Sequence, residues 1–574
     1  MIDVPWPDSV SSGTQRRLQA AAWSMAAVVG LGPLELRHAT VRIAGLTVSS
    51  VELLASVAIL CGAMAVWGLR REGHLARRLT HPLMIALAAW AALHLASALW
   101  SNDPLYSLKF GLRVTGGVAL AVTCSALGHL GRFRRIVTFG LLAGLAMITA
   151  LAIAERGLGR TFEPVLQLFR DEPTWMLGEP RLSTVFYHAN TLAAYLELAL
   201  PFLLVAPWLT GLPPQRRWAL LLWTAAGGAM LSLTYSRAGL LAGVLASLVL
   251  AATARRTRTE PRLARAAFVF AGLLSIAFLA NPDMRARLGM GKREYRVRYE
   301  FGGPCEGPAA GEVQVPLTLT NVGEWPISDR HAPGEVGYLI WPREGEPVAR
   351  AFRYRKLPAL RRGDRFETVL DVHLPDKPGP WSLVVDIRRK GVIWLSAVGT
   401  EVGRTTCTVQ QGPDSGPIDP SVKLRATSDI HLQHRPLELA RRHYWQAALR
   451  LLTERPWLGH GADRYRMSYG RLVPAAAWDG RARAHSVILE TAADLGLLGL
   501  LVLGLLIGSV AACMRPNLMM AAGASRISTA AAIALVGFGL HSLVDYFLGY
   551  TQILLVVWPI VGLATAATNR ESAR

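Results

Sequence analysis

The chain has 574 residues, of which 52% are hydrophobic and only 18% are charged, and its mean hydropathy is +0.30. Soluble proteins carry about 25% charged residues, so this composition excludes an ordinary soluble enzyme and favours a membrane protein. The formal net charge is +21, and its distribution along the chain decides whether it indicates nucleic-acid binding or membrane topology.

Long apolar runs predict about twelve membrane-spanning helices, since roughly 18 or more apolar residues are needed to cross a bilayer. The predicted fold class is therefore an α-helical polytopic membrane protein. The first and ninth runs are short. We expect the spans at residues 20–36, 51–69, 81–99, 110–127, 136–154, 189–206, 218–235, 238–254, 267–280, 486–513, 527–545 and 551–568.

Arginine is concentrated in alternate loops between these runs, beginning with the segment before the first one. Those loops and the two ends of the chain hold 20 arginines and five acidic residues, which accounts for +15 of the net charge. Because positively charged loops stay in the cytoplasm, both termini are predicted to be cytoplasmic. Topology thus explains the charge, and no nucleic-acid partner is expected. The first 19 residues are too long and too acidic to begin a signal peptide, so the first span is expected to be retained.

Between Pro282 and Arg483 the pattern changes to short alternating stretches, which predict a soluble excursion on the periplasmic side. We expect seven or eight strands at residues 295–301, 313–321, 336–341, 348–354, 366–373, 381–388, 392–395 and 405–409. Strands of this length and spacing are typical of an antiparallel β-sandwich. Cys305 and Cys407 bracket these strands on the side of the membrane where disulfides persist, so they are candidates for a bridge.

This pattern divides the chain into four parts. They are a membrane domain of about nine helices at residues 1–281, an all-β sandwich with its linkers at 282–425, a helical segment of the outer loop at 426–484, and a membrane domain of three helices at 485–574. Residues 412–420 form a linker rich in Gly, Pro, Asp and Ser. Residues 437–452 are predicted to form an amphipathic helix, and 459–471 a loop with a short helix.

Two stretches of the predicted sandwich, residues 320–325 and 378–386, resemble immunoglobulin-like modules attached to bacterial glycan enzymes. The region carries four tryptophans, which either form a face on which sugars stack or fill the core of the sandwich. They are Trp325, Trp341, Trp381 and Trp394.

Three segments on the predicted outer side carry residues suited to chemistry. Arg181 and Asn190 precede and enter the sixth span, and Ser236 and Arg237 separate two spans with almost no loop. An arginine at this edge is either a snorkelling anchor or a bidentate phosphate ligand. The third segment, residues 483–496, places His485 at the mouth of a helix, where its imidazole can accept a proton.

Together these segments resemble the O-antigen ligase and polymerase superfamily of bacterial inner membranes. Arg237 and Leu241 match its Arg-x3-Leu element, and the His-[Asn/Ser/Gln]-x9-Gly element is matched by His485, Ser486 and Gly496. Residues 181–190 resemble the family's Arg-before-Asn segment, and residues 455–469 resemble its Pro-x-x-Gly-x-Gly element. Gly499 stands where some ligases have Thr, and the sandwich is not part of the usual ligase core.

The resemblance implies a GT-C-like membrane fold and an inverting glycosyl transfer without a metal or other cofactor. The donor would be a glycan on undecaprenyl pyrophosphate, and the acceptor a lipid A–core or another glycan. His485 would deprotonate the acceptor, and Arg181 and Arg237 would neutralise the leaving pyrophosphate. The other predicted substrate-binding residues are Asn190, Ser236, Arg483 and Glu490. The sandwich would bind a sugar or protein partner or pack over the site.

Further polar residues in or near the spans are candidates for the same site. Glu197 lies mid-span and is expected to face the bundle interior, since an unpaired carboxylate in lipid is costly. His541 and Asp545, four residues apart, are expected on one helix face as support for the site. His188 and His460 are alternative bases.

Other functions remain open at this stage. Within the same class, the chain could be a polymerase that joins polysaccharide repeat units. From other classes, it could be a polysaccharide transporter or flippase, or a scaffold for surface assembly whose sandwich is the working part. Transporters often carry paired half-sequence repeats, which are not evident here, and the arginines and histidine on the outer side disfavour a scaffold.

Overall fold

The structure is a computed structural model, and it describes residues 6–7, 9–43, 46–74, 82–171, 175–176, 179–209, 213–256, 261–280, 295–324, 326–328, 334–342, 355–375, 377–389, 393–395, 400–411, 441–472, 480, 482–519 and 525–566. The chain forms two compact units. The first comprises Met1–Pro173, Leu182–Ala277 and His434–Arg574, and the second comprises Thr174–Arg181 and Phe278–Gln433.

The described part of the chain has a helix at each of the twelve predicted positions. These are α1 Ser12–Leu31, α2 Ser50–Arg71, α3 Pro82–Ala96, α4 Pro104–Leu127, α5 Gly131–Leu158, α7 Ala189–Val205, α8 Pro214–Leu233, α9 Arg237–Arg256, α10 Pro261–Ala280, α13 Val487–Leu518, α14 Arg526–Ser542 and α15 Thr551–Thr565. Three shorter helices are α6 Glu163–Leu166, α11 Arg441–Glu454 and α12 Tyr465–Ser468. A hairpin of β1 Thr40–Ile43 and β2 Leu46–Ser49 joins α1 to α2.

Eight of the described helices are long and apolar enough to cross a membrane. They are α2, α4, α5, α9, α10, α13, α3 with its extension to Leu99, and α7 with its extension to Trp208. The helix α15 is apolar but shorter, and α1, α8 and α14 do not meet the same criteria. The protein is therefore helical and of membrane type, whereas the count of twelve spans stays a prediction.

Helix α7 lies at the centre of the first unit, because 94% of its apolar window is buried inside the protein. It packs against α8, α9 and α14, and α15 packs against α4 and α14. Asn190 at the start of α7 and Arg441 at the start of α11 both donate to the loop after α14, at residues 543–550. This loop therefore brings together segments that are far apart in the sequence.

The second unit contains two β-sheets. Their strands are β5 Val297–Phe301, β6 Cys305–Pro308, β7 Glu312–Asn321, β8 Gly334–Pro342, β9 Arg355–Lys356, β10 Arg365–His373, β11 Gly379–Arg389, β12 Ile393–Trp394 and β13 Gly403–Gln410. One sheet has the order β10-β7-β5, and the other has the order β6-β13-β11-β8-β9, with β12 paired to β11. The sheets face each other, since the backbone N–H of His373 donates to the Tyr338 hydroxyl across them at 2.9 Å. A separate pair, β3 Trp175–Met176 and β4 Glu179–Pro180, also belongs to this unit.

The predicted strands that lie within the described residues are present, but β6 and β9 were not predicted. The pairing of β6 with β13 is parallel rather than antiparallel, and it sets Cys305 opposite Cys407. These two cysteines form a disulfide, which ties the start of the unit to its last strand. Trp381 is buried, so it belongs to the core and not to an exposed sugar face. Trp325, the predicted strand 348–354 and the linker 412–420 lie outside the described residues, and the immunoglobulin-like identity stays a prediction.

Candidate active site

His485 lies at the entrance of α13 in a backbone conformation that few residues other than glycine adopt. Its φ is +51°, in the left-handed region that costs an L-residue about 1–2 kcal/mol. Ser486 follows as the N-cap of α13, and its hydroxyl accepts from the Leu489 N–H at 3.5 Å. The conformation aims the imidazole at the loop after α14, where its Nδ1 lies 3.0 Å from Oδ1 of Asp545.

Asp545 is a buried carboxylate with donors on both oxygens. Oδ1 accepts from His485 and from the Tyr546 N–H at 3.0 Å. Oδ2 accepts from Asn190 Nδ2 at 2.7 Å and from Arg441 Nη2 at 3.4 Å. Burial alone would raise the pKa of Asp545, but the hydrogen bond and charge of His485, with the Arg441 cation, hold it well below its ordinary value. Asp545 is thus an ionised carboxylate that orients His485.

This arrangement decides which ring nitrogen of His485 can act as a base. A carboxylate only accepts, so Nδ1 must carry the proton that it shares with Asp545. Nε2 then presents its lone pair, and it has no hydrogen-bond partner among the residues that the structure describes. The side chain is 29% exposed, so a substrate can reach it. We call His485, Asp545, Asn190 and Arg441 the histidine cluster.

Arg237 is the first residue of α9, and it is exposed. The tight connection from α8 places Tyr235 at a φ of +52°, and the Ser236 hydroxyl accepts from the Gly239 N–H at 3.2 Å. Arg237 lies within electrostatic range of Arg441, a member of the histidine cluster. Of these two arginines, Arg441 donates to Oδ2 of Asp545.

Ser236 leads into a buried polar chain rather than toward the histidine cluster. Its hydroxyl lies 3.4 Å from His541 Nε2, and His541 Nδ1 lies 2.7 Å from Glu197 Oε1. The expectation that Glu197 faces the bundle interior is confirmed, since the carboxyl is buried. The expectation that His541 and Asp545 share a helix face is wrong. Because α14 ends at Ser542, the chain turns, and the two side chains point to different partners.

Arg483 and Glu490 form a second buried pair beside the cluster. Arg483 Nη1 donates to Glu490 Oε1 at 3.0 Å and also to Asp463. Burial would lower the pKa of Arg483, but the charges of Asp463 and Glu490 raise it above its ordinary value. The other oxygen of Glu490 accepts from the Ala484 N–H at 2.6 Å. Glu490 therefore holds Arg483 and the residue before His485, and the carboxylate on the imidazole is that of Asp545.

Gly496 interrupts α13 with a φ of +65° and a non-helical ψ of −159°. A Cβ there would lie 2.5 Å from the Trp457 carbonyl carbon, so only glycine fits. Gly459 has the same φ of +65°, and a Cβ on it would lie 2.4 Å from the Asp494 carbonyl carbon. The Leu497 N–H donates to the Pro456 carbonyl at 2.7 Å. The segment around Gly496 and the Pro-x-x-Gly-x-Gly segment around Gly459 therefore pack backbone against backbone. We call this contact the joint.

Asp494 fastens this joint to the short helix α12. Its carboxylate accepts from the backbone N–H groups of Asp463, Arg464 and Tyr465 at 2.8, 3.1 and 2.6 Å. These are the unsatisfied donors at a helix N-terminus, which an acceptor side chain stabilises. Asp463 is thereby fixed where it can bind Arg483. Asp494 thus holds Asp463, and Asp463 in turn binds Arg483, which lies two residues before His485.

The remaining predicted residues are distributed as follows. His460 is buried, with Nε2 at 3.1 Å from the Leu451 carbonyl, and burial lowers its pKa, so its surroundings suit a packing role. His188 packs edge-on against Tyr187 at the start of α7. Arg181 is buried and is the last residue of the short stretch that belongs to the second unit, and its part in the site stays a prediction.

The sequence interpretation missed Arg441 and gave Asp545 only a supporting role. No local sequence pattern singles out these two residues. In the structure, four of the five non-glycine residues with positive φ in the described part of the chain lie in the segments of this site. They are Thr184, Tyr235, Asp463 and His485. Strained conformations persist where the surrounding structure imposes them, and they cluster at functional sites.

Comparison with known proteins gives one informative match. Residues 421–504 match a family model, Wzy_C, described as O-antigen ligase. The matched stretch contains Arg483, His485 and Gly496, and it supports a function of the O-antigen ligase or polymerase type. No curated protein matches the chain.

Among solved structures, one match is the Pseudomonas fluorescens alkylpurine DNA glycosylase AlkC bound to DNA containing an abasic site analog. It is 16% identical over 69% of this chain and 97% of that chain, with a TM-score of 0.18. A score this low carries no argument about the fold of this chain.

Proposed function

We propose that the protein is a glycosyltransferase of the bacterial inner membrane, of O-antigen ligase type. It would transfer a glycan from undecaprenyl pyrophosphate to a hydroxyl of a lipid A–core or another glycan on the periplasmic face. The observation that carries the proposal is the 3.0 Å contact between His485 Nδ1 and the ionised Asp545. A surface histidine held by a buried carboxylate is an arrangement suited to general-base catalysis.

In the proposed displacement, Nε2 of His485 takes the proton of the acceptor hydroxyl. The acceptor oxygen attacks the anomeric carbon of the donor from the face opposite the pyrophosphate, and a new glycosidic bond forms with inverted configuration. Asp545 stabilises the imidazolium that results. General-base catalysis of this kind contributes about 100- to 10,000-fold to the rate.

In the same displacement, as the new bond forms, the bond between the anomeric carbon and the pyrophosphate oxygen breaks, and its electron pair leaves with the pyrophosphate. Arg237, at the exposed start of α9, would bind this group, because a guanidinium matches phosphate geometry with two parallel hydrogen bonds. Arg181 is proposed to assist. These cations would supply the charge stabilisation, so the proposed reaction uses no metal ion.

The other predicted residues act through these groups. Asn190 and Arg441 both bind Oδ2 of Asp545, so we assign them a positioning role. Glu490 fixes Arg483 and Ala484, and with them the approach to His485. Ser236 caps the start of α9 and thereby positions Arg237.

The test compares His485→Ala with His373→Ala in membranes of the native host lacking the wild-type gene. His373 is an exposed histidine of the second unit and serves as the matched control. We expect the His485 variant to accumulate lipid-linked glycan with loss of the modified acceptor, while His373→Ala behaves as wild type. Accumulated full-length polymer indicates a ligase, and accumulated single repeat units indicate a polymerase. Normal glycan transfer by the His485→Ala variant would rule out His485 as the base.

A further inference from the structure

A second basic site lies next to the histidine cluster, and Arg483 is the one residue of its lining that the proposed transfer uses. It is a cavity of about 350 Å³ in the first unit, within the range of small-ligand sites. Five cations and one carboxyl group line it. These are Arg37, Lys109, Arg113, Arg466, Arg483 and Glu35. We call this site the basic cavity, and neither Arg237 nor Arg441 is among the residues lining it.

Lys109 is the cation whose charge is least compensated within the basic cavity. Arg37 pairs with Asp171, Arg113 with Glu52, and Arg483 with Glu490. Lys109 makes no ion pair or hydrogen bond with any residue that the structure describes, although Glu52 and Glu35 lie within electrostatic range. The lysine lies in the second turn of α4, a candidate membrane span. A half-buried ammonium without an ion-pair partner is costly unless an anion accompanies it.

The basic cavity continues into an apolar groove of about 170 Å³ between α2, α4 and α15. The two share Thr47, Lys109, Arg113 and Thr551. Small side chains open the groove: Ala55 on α2 and Gly116 on α4. A Cβ on Gly116 would meet only Ile59 Cδ1, at 3.7 Å. A cationic cavity that opens into an apolar groove between membrane helices has the amphipathic shape of a phosphorylated lipid.

The position of the basic cavity indicates which lipid it serves. Arg483, two residues before His485, forms part of its wall, as does Tyr550, five residues after Asp545. A lipid head bound here would lie beside the proposed base, and Arg237 is not among the residues that line the cavity. We propose that the basic cavity binds the phosphate of the acceptor lipid and that the apolar groove holds its hydrocarbon chain. This inference rests on the proposed function only in calling the lipid the acceptor.

Both classes of acceptor share this chemistry. A lipid A–type glycolipid carries phosphates on its sugars, and a growing chain on a polyprenyl lipid carries a pyrophosphate. Binding is therefore measured on the purified full chain in nanodiscs, without turnover, with three probes. They are lipid A with both phosphates, the same lipid after enzymatic dephosphorylation, and undecaprenyl monophosphate. Tighter binding of lipid A indicates a ligase-type acceptor, and tighter binding of the polyprenyl phosphate indicates a polymerase-type acceptor.

Substitutions at Lys109 and Gly116 test the two halves of the site. Lys109→Gln removes the uncompensated charge, and we expect it to weaken binding of the phosphorylated lipid about tenfold while the dephosphorylated lipid is unaffected. Lys109→Arg should restore binding. Gly116→Leu fills the groove and should weaken both lipids. The matched control is Gly504→Leu on α13, where a Cβ would meet no atom within 4 Å.

The outcomes separate this inference from the proposed function. Equal affinity for the phosphorylated and dephosphorylated lipids would overturn the phosphate site. A Lys109→Gln variant that raises the KM for the donor but not for the acceptor in glycan transfer would overturn the acceptor assignment. Failure of the wild-type protein to transfer glycan would contradict the proposed function alone, since lipid binding is measured without transfer. An unchanged thermal unfolding midpoint in each variant shows that a loss of binding is not a loss of fold.

Discussion

His485 and Asp545, sixty residues apart in the sequence, face each other with Nδ1 and Oδ1 at 3.0 Å. The second carboxylate oxygen is occupied by Asn190 and Arg441. The imidazole therefore has one tautomer available, with the proton on Nδ1 and the lone pair on Nε2. The proposed base chemistry follows from this single contact and from the exposure of the ring.

The first prediction concerns Asp545→Asn. Oδ2 accepts from two side chains, Asn190 and Arg441, whereas Oδ1 meets His485 and the Tyr546 N–H. We therefore expect the amide oxygen to take the Oδ2 place, and the amide nitrogen to face His485 with loss of the Tyr546 contact. The nitrogen then donates to Nδ1, which moves the ring proton to Nε2 and removes the base. We expect kcat to fall at least about 100-fold with little change in KM. Steady-state kinetics with reconstituted protein checks this, and a change confined to KM would contradict it.

The second prediction concerns pH. Because the pKa of Asp545 in the folded protein lies below its ordinary value, its contribution to the free energy of unfolding is complete above about pH 3.9 and is lost as pH falls through the folded-state pKa. Asp545→Asn lacks this contribution at every pH. The difference in unfolding midpoint between the two proteins should be largest near neutral pH and should shrink on acidification below about pH 4. A difference that grows on acidification would show that Asp545 is not ionised.

The third prediction concerns the joint between α13 and the loop before α12. Gly496→Ala forces a side chain into a left-handed conformation and against the Trp457 backbone. We expect the free energy of unfolding to fall by about 1–3 kcal/mol and transfer activity to fall with it. Gly508→Ala, also in α13, is the control, because a Cβ there meets no atom within 4 Å. Similar thermal unfolding midpoints for the two variants would contradict the close packing at the joint.

The sequence predicts the positions of the helices better than it predicts the geometry of the site. Each of the twelve apolar runs corresponds to a helix, because a long apolar run has few alternatives in a membrane. Asp545 was expected to point with His541, since four residues separate them. The helix ends at Ser542, and the position of that end depends on tertiary contacts that no local pattern encodes.

The fourth prediction concerns the second unit, where Cys305 and Cys407 are bonded. Replacing both with Ser should lower the stability of that unit by about 2–4 kcal/mol, the usual effect of losing a structural disulfide. Limited proteolysis with and without reductant measures this. The wild-type protein should become more susceptible on reduction, and the double variant should be indifferent to reductant. Identical susceptibility of oxidised wild type and double variant would contradict a stabilising role.

The central claim is that His485 removes the proton of the acceptor hydroxyl. The most direct measurement is the single-turnover rate of glycan transfer in proteoliposomes loaded with lipid-linked donor, for wild type, His485→Gln and the control His373→Gln. We predict a fall of about 100- to 10,000-fold for His485→Gln with unchanged donor binding, and a wild-type rate for the control. A His485→Gln rate within about twofold of wild type would contradict the account, since general-base catalysis cannot be lost at so small a cost.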